Sequence, residues 1–372
     1  MNPLLQLRDR GQSIWLDYIR RDLIRDGELK RLIENDGLRG VTSNPSIFEK
    51  AIDQGNVYDG ALGEIFAKNP RIEPRDGYDV LSIEDVRHAA DVLLPAYQES
   101  GGSDGFVSIE PPPQLTRDTQ ATVQEAQRIW HTVNRPNLMV KIVATKEGIR
   151  AVEELIAQGI NVNITLMFSL SHYEAVAAAY IRGLQRSREP AKIASVASFF
   201  VSRVDTQVDR ALEAIGSPEA LALLGKIAIA NSKRVYRRFE EIFYGDDFSA
   251  LRKQGARVQR PLWASTSTKN PAYRDVFYVE ELIGPDTVNT LPLPTLNAFR
   301  DHGRVRGNTV QEDLSAAEDQ LRSLAGLGVD LNTIAEKLQT DGVASFAAAY
   351  DRVLTALEKK RGSMVTQVRT NA

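Results

Sequence analysis

The stretch Asn137–Thr145 reads NLMVKIVAT, an apolar run with one lysine inside it. An ammonium in such surroundings must be paired, hydrated or discharged, because an unpaired buried charge is costly. Burial disfavours the charged form, and the neutral amine is the nucleophile that attacks a carbonyl to form an imine. Lys141 is therefore the first candidate for chemistry. The alternative from pattern alone is a structural ion pair between Lys141 and Glu110 or Asp17.

The other candidates follow from strand parity, since alternate side chains of a strand face opposite sides. Leu138, Val140 and Ile142 share one face, and Met139, Lys141 and Val143 share the other. The segment Asn161–Leu166 divides into outward Val162, Ile164 and Leu166 and inward Asn161, Asn163 and Thr165. The same rule turns Asp17, Asn44, Glu110 and Ser198 inward at the ends of their own segments. The set holds one amine, two carboxylates and several neutral hydrogen-bonding groups, and no imidazole. Each has a plainer reading beside it: Asp17 as a helix-capping acid, Glu110 as a loop carboxylate before Pro111-Pro112-Pro113, Asn44-Pro45-Ser46 as an ordinary turn or cap. His88, His131 and His172 fall in expected helices and His302 in a polar loop, without metal-ligand spacing, so no metal site is expected.

Elements that can position such a set are legible as short apolar runs alternating with longer amphipathic segments. Strands are expected at Ile14–Asp17, Gly40–Asn44, Phe106–Glu110, Leu138–Ile142, Asn161–Leu166, Lys192–Ser198, Leu262–Thr266 and Thr287–Thr290. Ser82-Ile-Glu-Asp85 and Ser171-His-Tyr-Glu174 have capping-box spacing. Ser217-Pro218-Glu219 places proline at the first position of a helix expected to run to about Phe243, with the basic pairs Lys233-Arg234 and Arg237-Arg238 on its solvated side. Eight strands, each followed by a helix, predict an α/β fold, a closed (β/α)8 TIM barrel, whose chemistry sits at the C-terminal strand ends. The competing open sheet lacks its dinucleotide and P-loop fingerprints. Residues 1–372 are read as one barrel domain with extra helices in the loops 45–105 and 199–261. A helical C-terminal region, about 306–372, is expected to pack on it.

Composition excludes several classes. The 372 residues carry a formal net charge of -3 and no cysteine, so disulfides, thiolate metal sites and cysteine nucleophiles are ruled out and a nucleic-acid surface is not suggested. The N-terminus has no uninterrupted apolar signal core, and no stretch is long enough to span a bilayer. A cytoplasmic protein without membrane attachment is expected.

The motifs GVTSNPSIFEKAI (Gly40–Ile52), VSIEP (Val107–Pro111), VKIVATKEGIRAVEELIAQGINVNITLMFS (Val140–Ser169), ASFFVSRVD (Ala197–Asp205) and WASTSTKNPAY (Trp263–Tyr273) closely resemble the transaldolase family. Length and the Trp263 motif are similar to its longer bacterial branch. The resemblance implies a class I, cofactor-free and metal-free barrel enzyme of the pentose phosphate pathway. It would carry a dihydroxyacetone unit between sugar phosphates through a Schiff base. By motif position it implies Lys141 as the Schiff-base lysine, Glu110 and Thr165 as holders of a catalytic water, and Asp17 as the acid–base group at the donor's C4 hydroxyl. Asn44, Asn163 and Ser198 would bind the three-carbon fragment. Arg203 would bind phosphate, and near Ser265 the family's second arginine is replaced by Ser267, with Lys269 as the nearest substitute. Sugar phosphates are the expected partners, with self-association left open. A simple aldolase releasing free dihydroxyacetone and a non-catalytic sugar-phosphate binder are the alternatives.

Overall fold

Each strand of the chain pairs in parallel with its sequence neighbours, and the last pairs with the first, closing a barrel in the order β1 to β8. The computed structural model describes residues 2–53 and 55–370, with side chains through residue 364. The strands are β1 Gln12–Leu16, β2 Gly40–Thr42, β3 Phe106–Ile109, β4 Leu138–Val143, β5 Val162–Met167, β6 Ser195–Phe200, β7 Arg260–Ala264 and β8 Thr287–Leu291. Nearly every strand residue is buried, as expected where helices cover the outside and side chains fill the lumen. The expected fold is the observed one.

The lumen is filled from its N-terminal end by the Trp15 indole, which stacks at 6.2 Å from the Phe106 ring. A Cβ on Gly40 would come within 2.4 Å of that indole, so only glycine allows β2 to pass it. Around Trp15 lies a closed polar floor. Its Nε1 donates to Asp104 Oδ1 at 3.0 Å, Ser13 Oγ donates to Asp104 Oδ2, and Arg260 reaches the same carboxylate at 3.5 Å. Amide side chains tie the strand starts together: Gln12 donates to Leu282 O, and Asn161 to Pro136 O and Leu138 O.

Several local expectations are corrected. β6 begins at Ser195, not Lys192, because Pro190 opens a 3-10 turn (Pro190–Lys192) and the strand extends instead through Phe200. Ser82 lies inside a helix that starts earlier, at Pro74, and its hydroxyl bonds back to Asp79 O. The cap of the Leu170–Arg186 helix is Ser169, which accepts from His172 N, rather than Ser171. Ser217 does cap its helix, but that helix ends at Leu221. The chain turns at Gly225, where φ is +69° and the Tyr273 ring leaves no room for a side chain, before a second helix runs Ile227–Tyr244. Lys233 on that second helix is buried, donating to Glu312 O, because the Leu314–Gly326 helix packs over it. His302 ends the Leu293–His302 helix and contacts Asp275.

Leu166 also departs from simple alternation. The register with β6 slips between Ile164 and Met167, and Leu166 sits at φ +60°. A left-handed leucine is uncommon and needs surrounding structure to hold it. That structure is the last helix, Leu331–Thr370, whose Gly342 would put a Cβ 2.9 Å from the Leu166 side chain. Gln339 of the same helix donates its amide to both Ala144 O and Leu166 O at 3.0 Å, capping the ends of β4 and β5. Further along, Tyr350 stacks edge-on to Tyr78 and Arg352 pairs with Glu49 at 2.5 Å. The C-terminal helix thus crosses the barrel mouth and is fastened on both sides of it.

Candidate active site

Lys141 reaches the lumen from β4, whose flanking Val140 and Ile142 are buried against the helical shell. Its side chain is 6% exposed and its Nζ lies 2.7 Å from Glu110 Oε1, itself 7% exposed. Nζ also donates to Ser43 O at 3.4 Å, and the Phe346 ring of the C-terminal helix stands 6.0 Å from it. Glu110 follows β3 directly and is fixed in place by the triple proline and its 3-10 turn. The structural ion pair weighed from sequence is therefore present. It is not sealed, because Lys141 forms part of the wall of a large cavity.

Burial pushes the Glu110 carboxyl above the usual carboxylate range, Lys141 opposes that, and Asp17 adds to it. Desolvation outweighs the attraction of the neighbouring ammonium here. A carboxylate with raised proton affinity in contact with an ammonium is a ready acceptor for the proton that must leave before the amine can attack.

The cavity, of about 820 Å³, opens at the C-terminal strand ends, where barrel chemistry is found. Asp17, Asn44, Lys141, Thr165, Ser198, Arg203, Ser265 and Lys269 all line it. Asp17, just past β1, accepts from Thr42 Oγ1 at 2.8 Å, and Thr290 Oγ1 touches the same hydroxyl. Asn44 caps the Pro45–Asp53 helix through Ile47 N, so its capping and cavity-lining positions coexist. Thr165 Oγ1 is buried with no protein hydrogen-bond partner, a hydroxyl free to hold a water or substrate group.

Glu110 and Asn163 do not line this cavity. Glu110 meets Lys141 from the side, in a chamber of about 20 Å³ that has room for one water. Asn163 is fully buried, accepting from Ser198 Oγ at 2.7 Å and donating to Ser108 Oγ at 3.0 Å. The second bond spans the lumen between strands that are not neighbours, which fixes the inward parity of both.

Arg203 lies in the first turn of the Ser202–Ile215 helix, its guanidinium over the Phe200 ring at 5.0 Å. Among the described residues it has no ion pair, and burial lowers its proton affinity while nearby Asp17 supports its charge. An unpaired guanidinium on a cavity wall suits a phosphate dianion. Two carboxylates on the same helix hold the loop that faces it. Asp205 accepts from Tyr278 OH at 2.9 Å and from Ala228 N at 2.7 Å, and Asp209 accepts from Tyr273 OH at 2.8 Å. Burial raises Asp205 to about 7. On that loop Ser265 adopts φ +57° and its Oγ lies 2.9 Å from Ser202 Oγ, while Lys269, exposed, donates to Ser267 Oγ.

Thr42, turned inward by the parity of its strand, buttresses Asp17 together with Thr290. Other cavity residues have no counterpart in the strand-end pattern: Lys50 and Arg20 add positive charge to the rim, and Ser345 and Phe346 come from the C-terminal helix. The only signal for the last two was the amphipathic run SFAAAYDRVLTALEKKRG, which reads as packing surface rather than as cavity wall.

The geometry joins an amine, a proton-accepting carboxylate in contact with it, a second carboxylate and an unpaired guanidinium around one opening. Residues 14–357 match the sequence profile described as Transaldolase/Fructose-6-phosphate aldolase. Among curated proteins, the Transaldolase of Thermobifida fusca is 45% identical over 95% of this chain and 96% of its own. The Transaldolase of Frankia alni is 45% identical over 97% and 98%. The Transaldolase 1 of Streptomyces coelicolor is 46% identical over 97% and 95%. Profile, relatives and site agree, and the chain belongs to the transaldolase/fructose-6-phosphate aldolase family.

Proposed function

We propose that the chain is a transaldolase of the non-oxidative pentose phosphate pathway. It moves a dihydroxyacetone unit from sedoheptulose 7-phosphate or fructose 6-phosphate to glyceraldehyde 3-phosphate or erythrose 4-phosphate. The observation that carries this reading is the Lys141–Glu110 contact at the wall of a cavity that also holds Asp17 and Arg203.

In this reading Glu110 takes the Lys141 proton, and the amine adds to the ketose C2 carbonyl. Glu110 and Thr165 hold the water that shuttles protons as the carbinolamine loses water to the iminium. Asp17 removes the C4 hydroxyl proton and the C3–C4 bond breaks. Its electrons pass into the iminium, leaving an enamine on Lys141 and freeing the first aldose phosphate. The enamine carbon then bonds to the carbonyl carbon of the incoming aldehyde, and Asp17 returns its proton to the new hydroxyl. Water hydrolyses the iminium and restores the amine. Asn44 and Ser198 restrain the fragment, with Asn163 holding Ser198 in line, and the charge of Arg203, with Lys269 and Ser265, takes the phosphate.

Sugar phosphates are thus the partners, with no nucleic acid. No described helix is long and apolar enough to cross a membrane. A cytoplasmic location is supported by the cysteine-free composition.

Borohydride added with fructose 6-phosphate is expected to leave a three-carbon adduct on the Lys141 peptide. An adduct on another lysine, or none, refutes the proposal. The family name also covers aldolases, so free dihydroxyacetone is measured with and without an acceptor aldehyde. Release that is indifferent to the acceptor would favour the aldolase reading.

A further inference from the structure

The Lys141 amine has two neighbouring spaces, the large cavity that admits sugar and the one-water chamber beside Glu110, and Phe346 forms part of the wall of both. Its ring is 5% exposed and comes from the C-terminal helix, the most distant element in sequence from the strand it covers. The ring is held in place from the same helix. About two turns before it, Gln339 grips carbonyls at the ends of β4 and β5, and Gly342 lets the helix settle on Leu166.

Resting on the transaldolase reading above, we propose that Phe346 decides between transfer and release by keeping solvent away from the Lys141-bound three-carbon fragment. The enamine has two fates. Its nucleophilic carbon can form a bond to an aldehyde, whose oxygen takes the proton from Asp17. Alternatively that carbon takes a proton from water, Asp17 gives its proton to the hydroxide left behind, and the dihydroxyacetone iminium results. This iminium then takes up the one water lost when it first formed, and frees dihydroxyacetone and amine. Both routes return the same amine and need no other reactant, so the choice depends on which partner reaches the carbon first. An apolar ring beside the lysine, on the walls of both spaces and joined in the smaller one by Pro111, Pro112, Ile142 and Val343, offers water no polar partner there and narrows its approach to the bound fragment.

The test uses the full chain with fructose 6-phosphate. It measures free dihydroxyacetone and transfer to erythrose 4-phosphate side by side, with the borohydride adduct on Lys141 as control. Phe346→Ala is expected to raise the release-to-transfer ratio roughly tenfold, the scale of one lost apolar contact in a discriminating site. Phe346→Leu, which keeps apolar bulk, is expected to hold the ratio within about twofold. Phe346→Val takes the place of the alanine variant if alanine impairs folding, and its ratio is expected to rise as well. An unmoved ratio in a truncated variant that still forms the adduct overturns the role of Phe346. Failure of the unaltered chain to form the adduct overturns the transaldolase reading instead.

Discussion

The two ends of the barrel treat charge in opposite ways. At the floor, Asp104 is enclosed by donors on both oxygens, from Ser13, Trp15, Gly105 and Arg260. At the mouth, Asp17 has one hydroxyl partner, Arg203 has no ion pair among the described residues, and Thr165 Oγ1 has no protein partner. A buried polar group left short of partners costs stability, and removing it tends to cost little or even help. A satisfied one is the reverse. The floor therefore contributes to holding the strands in register, and the mouth forgoes some of that to keep groups available for substrate, the division expected of a barrel with its chemistry at one end.

Substitutions can break or sharpen this contrast. Lys141→Ala is the largest: turnover is expected to fall by about 10⁴-fold or more, measured by coupled assay, with a lower melting point because Glu110 is left buried without its partner. Turnover retained at that lower melting point would make Lys141 a structural residue like those of the floor. Glu110→Gln is expected to lower turnover by about 10²–10⁴-fold. Glu110 must be ionised to accept a proton, and burial raises its proton affinity. The acid limb of kcat/KM should therefore lie above the ordinary glutamate range of about 4.3, and the Gln variant should lose it. The sign for stability is the matching one. A carboxyl more easily protonated when folded stabilises the native state at low pH, and that contribution disappears as pH rises through its raised value.

Arg203→Lys is expected to raise KM for phosphorylated donors about tenfold with kcat little changed, since a point charge replaces a planar fork. An equal fall in kcat would mean that Arg203 acts in the transition state rather than in binding. Smallest in activity is Asp104→Ala at the floor. It should leave kcat/KM within about twofold but destabilise the fold by about 1–3 kcal/mol, read by denaturant unfolding, because Trp15 Nε1 and Ser13 lose their acceptor. A large activity loss there would erase the distinction between the two ends.

The strand-borne part of this arrangement was legible in the sequence because a period of two is a local property. Lys141, Asn163 and Thr165 face inward as their alternation with Ile142, Ile164 and their neighbours requires. Where the alternation failed, a nonlocal contact is present. Leu166 leaves the pattern at φ +60°, with its side chain against Gly342, far along the chain, whose missing side chain leaves room for it. The long helix expected after Ser217 is two helices: the first ends at Leu221, and the chain turns at Gly225, at φ +69° and against the Tyr273 ring, before the second begins. Ser82 and Ser171 carry cap-like spacing, but Pro74 and Ser169 had already started their helices. Phe346 could not be assigned to the cavity at all, because nothing in an amphipathic stretch tells which surface its apolar face will cover.

The order of these elements along the chain has a consequence for synthesis. A growing polypeptide emerges N-terminus first, and its earlier parts can fold before the rest is made. Strand β8 ends at Leu291, whereas Phe346 and the anchoring Gln339 lie well downstream. A nascent barrel can thus close with its lysine still unroofed. The roof over Lys141 is made after the strands it covers, and a truncation that reached back past Phe346 would remove it while leaving all eight strands.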